Sequence, residues 1–138
     1  MPLVADRIAD AHPVSHQPFD DAVIACIEEC VACFQACAAC ADACLSEPDI
    51  TSLLKCVRTN LDCSDVCSTT AAVLSRRTAT DLAVIRAVVE ACLASCVACA
   101  EECELHAAHH EHCQICAQAC RRCEAACRQL LGELADAA

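Results

Sequence analysis

Eighteen cysteines in 138 residues fall on a helical period. The first run holds Cys26, Cys30, Cys33, Cys37, Cys40 and Cys44, at steps of 4-3-4-3-4. The second holds Cys56, Cys63 and Cys67; its opening step is a full heptad, and Asn60 stands at the omitted position. The third holds Cys92, Cys96, Cys99 and Cys103, and the fourth Cys113, Cys116, Cys120, Cys123 and Cys127. Alternating steps of three and four mark the seam of a bundle helix, the side that faces its partners. Leu ordinarily fills such a seam. Here thiols fill it, while Ala, Glu, Gln and Arg occupy the positions between.

One Gly and four Pro leave few places for the chain to break, and the Ala-, Glu- and Arg-containing stretches favour helix. Four bundle helices are expected, over about Asp20 to Leu45, Thr51 to Arg76, Thr80 to His106, and His112 to Gly132. Asp20 or Asp21, Asp49 or Thr51, and Thr80 are the expected caps. Short connections make successive helices antiparallel. The expected fold is therefore all-α: an antiparallel up-down four-helix bundle with a cysteine-lined core over residues 19–138, preceded by a short N-terminal arm, residues 1–18. Pro2, Pro13 and Pro18 punctuate that arm, which reads as a short helix and a linker.

The core that follows is unusual. The chain has no Trp or Tyr, and only Phe19 and Phe34 as aromatics, whereas domains of this size ordinarily bury several large rings. A net charge of −11 argues against nucleic acid and against anionic membranes. No long apolar run of the membrane-spanning kind is expected. The start, MPLVADRIADAH, has no basic region followed by an apolar stretch, so a cytoplasmic, reducing location is expected. There, so many cysteines point to metal before disulfides.

Buried cysteine can serve simply as a small hydrophobe, but that does not account for eighteen on four seams. Disulfides within a helix fit poorly, because neighbours at i,i+3 and i,i+4 lie about 5–6 Å apart at Cβ, against roughly 3.5–4.5 Å in a disulfide. Thiolates select Cu(I), zinc or iron–sulfur clusters. Zinc takes isolated tetrahedral sets, and iron–sulfur clusters take tight loop motifs; continuous stripes on uninterrupted helix suit neither. Cu(I) accepts two or three thiolates, so each Cys-x3-Cys pair is a two-sulfur clamp and each stripe a chain of clamps. A Cu(I) that displaces one thiol proton also leaves the buried charge unchanged, whereas Zn(II) on four thiolates leaves two negative charges per site. The reading is a tube that holds many Cu(I) ions. Zinc or cadmium sequestration, or a copper chaperone or sensor, is the alternative.

The two ends of the tube differ. Beyond the cysteines the seams continue as Phe19 and Val23, Leu74, Leu82, Ile85 and Val89, and Leu130 and Leu134. Antiparallel topology gathers these into an apolar plug. At the opposite end stand His106, His109, His110 and His112. His106 and His110 project onto the thiol seam and, with His112, read as a copper entrance, since imidazoles ligate copper. Asn60 reads as a polar ligand or a hydrogen-bonding spacer near that mouth. His12 and His16 lie on the arm, with no role beyond the surface.

The stripes ECVACFQACAACADAC, CVRTNLDCSDVC, ACLASCVACAEEC and CQICAQACRRCEAAC resemble those of the bacterial copper storage proteins, over about residues 20 to 132. The closer resemblance is to the cytosolic branch. It implies a homotetramer of four-helix bundles, each filled separately with Cu(I), and no catalytic activity. The exported branch places methionines at the mouth; this chain has only Met1, with His106, His110 and His112 at the mouth instead.

Overall fold

The structure is a computed structural model that describes residues 3–14 and 17–136. Helix α1 spans Val4–Ala11, α2 Asp20–Leu45, α3 Leu54–Ser75, α4 Leu82–His106 and α5 Glu111–Asp136, with a 3-10 turn at Ile50–Leu53 before α3. Helix α2 packs on α3 and α5, and α4 packs on the same two, so the last four helices close a ring in chain order around one axis. This is the expected up-down bundle. Helix α1 lies against the outside of α2. Arg77 anchors the segment after α1. It is almost fully buried, pairs with Asp20 at 2.9 Å and donates to the Val14 carbonyl at 3.2 Å. His16, expected on the surface of the arm, lies outside the described residues.

Every cysteine is buried, and the buried positions of each helix recur at the bundle period. The plug forms at the end opposite the histidines. Leu74, Ile85, Val89, Leu130 and Leu134 are buried there, and Phe19 and Val23 pack against them. Leu82 departs from expectation: it is 49% exposed, because as the first residue of α4 it sits at the rim of the plug. At the histidine end the seam carries a residue that the sequence reading missed. Leu53 is fully buried, three positions before Cys56, and forms part of the same core.

The helix ends correct several expectations. Asp81, not Thr80, caps α4, its carboxylate accepting from the Ala83 and Val84 amides at 3.0 and 3.4 Å. Phe19 occupies the cap position of α2 in a left-handed conformation, φ 74°, so neither Asp20 nor Asp21 is the cap. Asp20 instead reaches back to the Gln17 amide at 2.9 Å. The second bundle helix enters through the 3-10 turn, with Asp49 before it and Ser52 bonded to Asp49 at its start; Thr51 caps nothing. The last helix runs on past Gly132 to Asp136. Contrary to expectation, α2 and α4 are long and apolar enough to cross a membrane, with mean hydropathy of 1.7 and 2.0 over their best windows. Cysteine and alanine raise those values, and in this fold the cysteines of both helices face the bundle axis.

Candidate metal centre

Four helices each bring one thiol row to the axis, so the sulfurs stack in layers. Nearest the plug, Cys26 lies 3.8 Å from Cys127. Next, Cys30 lies 3.7 Å from both Cys92 and Cys123, and Cys92 lies 3.8 Å from Cys67. Cys67 in turn lies 3.8 Å from Cys63 and from Cys96. Cys33 reaches Cys37 at 3.8 Å and Cys120 at 3.7 Å, and Cys37 reaches Cys99 at 3.8 Å and Cys116 at 3.7 Å. Cys56 and Cys103, 3.8 Å apart, begin the layer beneath the mouth, where Cys40 lies 3.9 Å from Cys113.

Several of these layers are complete sets of four ligand atoms within 4.8 Å of one another: Cys30-Cys67-Cys92-Cys123, Cys33-Cys63-Cys67-Cys96, Cys33-Cys37-Cys63-Cys120 and Cys37-Cys99-Cys116-Cys120. Successive sets share members, so the sulfurs form one connected column. All eighteen cysteines are free. With metal–sulfur bonds of about 2.3 Å, trigonal sulfurs sit about 4 Å apart, which is the spacing found between neighbours in the column.

Crowding sets the thiols against one another for protons. Hydrogen bonds from Cys120 and Cys123 hold Cys33 well below the ordinary thiol range. Those from Cys103 and Cys116 do the same for Cys99. Cys37, beside Cys116 and Cys120, is pushed the other way, as is Cys96 beside Cys123. A thiolate in this column is stabilised by neighbours that keep their protons. Near the mouth, burial dominates and pushes Cys44 up to about 11. A cation that replaces a proton relieves both constraints, because a metal-bound sulfur is a thiolate without a naked buried charge.

Asn60 is fully buried inside the column rather than at its mouth. Its Oδ1 accepts from Cys99 at 3.0 Å, Cys116 at 3.1 Å and Cys103 at 3.6 Å, and its Nδ2 lies 3.5 Å from Cys56. It thus stands where α3 omits a thiol and fills that gap with one amide touching four sulfurs.

The expected entrance histidines have different surroundings. His112 meets the column: Nδ1 lies 3.3 Å from Cys40 and 3.6 Å from Cys113, and Cys40, Cys44, His112 and Cys113 form another four-ligand set. His106 instead pairs with Glu102 at 2.8 Å. Glu102, almost fully buried, also faces Lys55 at 3.8 Å. His110 lies between Glu47 at 2.6 Å and Asp49 at 3.1 Å. The Asp49 carboxylate holds His110 above the ordinary imidazole range, while His112 holds Glu47, and His110 holds Asp49, below the usual carboxylate range. His109 is exposed. Sequence reasoning missed Glu47, Asp49 and Glu102. A signal existed for the first two: antiparallel topology puts the Glu47-Pro48-Asp49 connection at the same end as the histidine loop.

Comparison with known proteins adds the following. The family model described as copper storage protein matches residues 20–132. A structure of the copper storage protein Ccsp from Streptomyces lividans, loaded with 10 copper equivalents, is similar at 52% identity and a TM-score of 0.91, over 94% of this chain and 98% of that one. A second structure, of copper loading to a cytosolic copper storage protein from Streptomyces lividans with five coppers, is 60% identical with a TM-score of 0.80, over 81% and 93%. Cu(I)-bound copper storage protein BsCsp3 is 32% identical with a TM-score of 0.70, over 83% and 99%. The comparison with curated proteins gave no match.

Proposed function

This chain belongs to the copper storage protein family, and from that premise we propose that it is a cytosolic store that holds many Cu(I) ions on the thiolates inside its bundle. The observation that carries the reading is the connected column: four-thiol sets that share members along the middle of the axis, continued towards the mouth by the Cys99–Cys103, Cys103–Cys56 and Cys56–Cys113 contacts. An enzyme or a chaperone needs one site with access to a partner. A column of buried thiols with no grouping into separate fours is suited to capacity. Cytosolic placement follows from the likeness to the Streptomyces lividans protein described as cytosolic.

In this reading Cys26, Cys30, Cys33, Cys37, Cys40, Cys44, Cys56, Cys63, Cys67, Cys92, Cys96, Cys99, Cys103, Cys113, Cys116, Cys120, Cys123 and Cys127 are the ligands. His112 joins them at the mouth, and His106 and His110 guide ions to it. Asn60 offers Oδ1 as a polar station inside the column. Residues 1–18 are an arm and 19–138 the storage domain. The protein catalyses no reaction, and four copies assemble into a homotetramer in which each bundle fills on its own.

Anaerobic titration of the reduced protein with buffered Cu(I), and separately with Zn(II), tests this. Storage predicts Cu(I) saturation near or above one ion per thiol, eighteen in all. Zinc sequestration predicts Zn(II) saturation near about four with tetrahedral thiolate sites, the thiol count divided by four, and no larger Cu(I) load. Saturation at one or two Cu(I) contradicts storage and favours a chaperone or sensor.

A further inference from the structure

The mouth holds a donor set unlike the column beneath it. Glu47 Oε2 lies 2.6 Å from His110 Nδ1 and 3.0 Å from His112 Nε2, and the two rings stack with centroids 5.4 Å apart. One carboxylate oxygen and two imidazole nitrogens therefore converge, contributed by the α2–α3 connection, the α4–α5 connection and the first turn of α5. The far nitrogen of His110, Nε2, meets Asp49 Oδ2 at 3.1 Å. That is the arrangement of a ligand histidine whose other nitrogen is oriented by a carboxylate. The His110 side chain keeps only 11% of its surface exposed, and Glu47 keeps 26%, so the cluster is sheltered but open on one side.

We propose that Glu47, His110 and His112 form a second metal site, for a divalent ion of borderline softness such as Zn(II), outside the thiol column and oriented by Asp49. An ion with bonds of about 2.1 Å holds adjacent ligand atoms about 3.0–3.4 Å apart; the His112–Glu47 pair at 3.0 Å is already within that range, and the His110–Glu47 pair at 2.6 Å opens by roughly 0.4–0.8 Å to admit the ion. Imidazole and carboxylate suit zinc and divalent copper, whereas Cu(I) is drawn to the thiolates below. Three protein ligands leave a coordination position for water, as in open zinc sites. Loading displaces the proton that His110 shares with Glu47, so the ion takes the place of an ion pair already at that point.

The site and the column meet in one ring. A neutral His112 that binds the divalent ion through Nε2 keeps its proton on Nδ1, the atom facing Cys40 and Cys113, and so cannot ligate Cu(I) there. An occupied mouth site therefore withdraws the imidazole from the path to the column. This consequence rests on the storage reading; the site itself does not.

The test uses wild-type protein and Glu47→Gln, each with its thiols first filled with Cu(I), so that Zn(II) has to take only His112 from copper that Cys40 and Cys113 still hold; both are then equilibrated with Zn(II) and desalted. Metal analysis and zinc-edge X-ray absorption follow. The proposal expects one Zn(II) per chain, held by nitrogen and oxygen at about 2.0–2.2 Å with no sulfur at about 2.3 Å. It expects Zn(II) affinity to fall by about tenfold or more in Glu47→Gln. Equal Zn(II) retention in the two proteins, a sulfur shell on that ion, or no retained Zn(II) overturns it. The copper count from the same samples reports separately on storage, and the difference between wild type and variant counts the mouth ion at any level of copper filling.

Discussion

Replacing Cys33, Cys37 and Cys120 together by alanine is expected to remove about a third of the Cu(I) capacity, twice what three independent ligands among eighteen would remove, because bridging sulfurs are shared between ions. Cys33 and Cys37 belong to two four-thiol sets each, as does Cys120. Their contacts run to Cys63, Cys99 and Cys116, so the triple variant interrupts the middle of the column and leaves two shorter ones. Alanine is smaller than cysteine by one sulfur and fits the helix well, so the apo bundle should still fold, and circular dichroism checks that first. Removing Cys26 and Cys127, which meet only at the plug end, should cost far less per thiol. Capacity read by anaerobic titration decides the matter; a loss of no more than three ions in the triple variant would show independent sites.

A second large effect is expected from copper on stability. Each ion bound only by the folded state adds about 4 kcal/mol when free metal exceeds its dissociation constant a thousandfold. Several ions together exceed the roughly 5–15 kcal/mol of an ordinary domain. The filled protein should therefore show no thermal transition under conditions that unfold the apo form. The apo form depends instead on its plug. Leu130 is fully buried among Leu74, Ile85, Val89 and Leu134, and Leu130→Ala should cost the apo protein about 2–5 kcal/mol. With copper loaded, that deficit should no longer be visible in a thermal scan. Paired scans of wild type and variant, with and without Cu(I), measure both. Equal melting temperatures for apo and loaded protein would mean that the metal lies outside the folded core.

The column was legible because cysteine position along a helix is a purely local property. Steps of three and four place Cys26 to Cys44, and the rows from Cys56, Cys92 and Cys113, on inward faces whatever surrounds them, and the structure buries all of them. Short connections supplied the topology. The plug was legible for the same reason, except at Leu82, where the helical period holds but the helix has only just begun. The ends were harder. Asp81 took the cap expected of Thr80 one residue earlier, and Ile50–Leu53 formed a 3-10 turn that no spacing announces.

The mouth was read only in part. Histidines near a thiol seam suggested an entrance, yet which of them faces sulfur depends on how two connections from distant parts of the chain meet. His112 faces Cys40 because Glu47 holds its other nitrogen, and His110 is turned between Glu47 and Asp49. These pairings link positions more than sixty residues apart, which a period cannot reveal. Asn60 stood out as the gap in a stripe; that its amide would reach three sulfurs through one oxygen required all four helices in place.

The central claim, a connected store of Cu(I) inside the bundle, is tested most directly by anomalous diffraction at the copper edge from crystals of the fully loaded protein. The account predicts a string of copper peaks along the bundle axis, from the Cys26–Cys127 pair beneath the plug to Cys44 and Cys113 at the mouth, each within bonding distance of two or three sulfurs. Copper confined to the mouth histidines or scattered over the acidic outer surface, with the inner thiols bare, would contradict it.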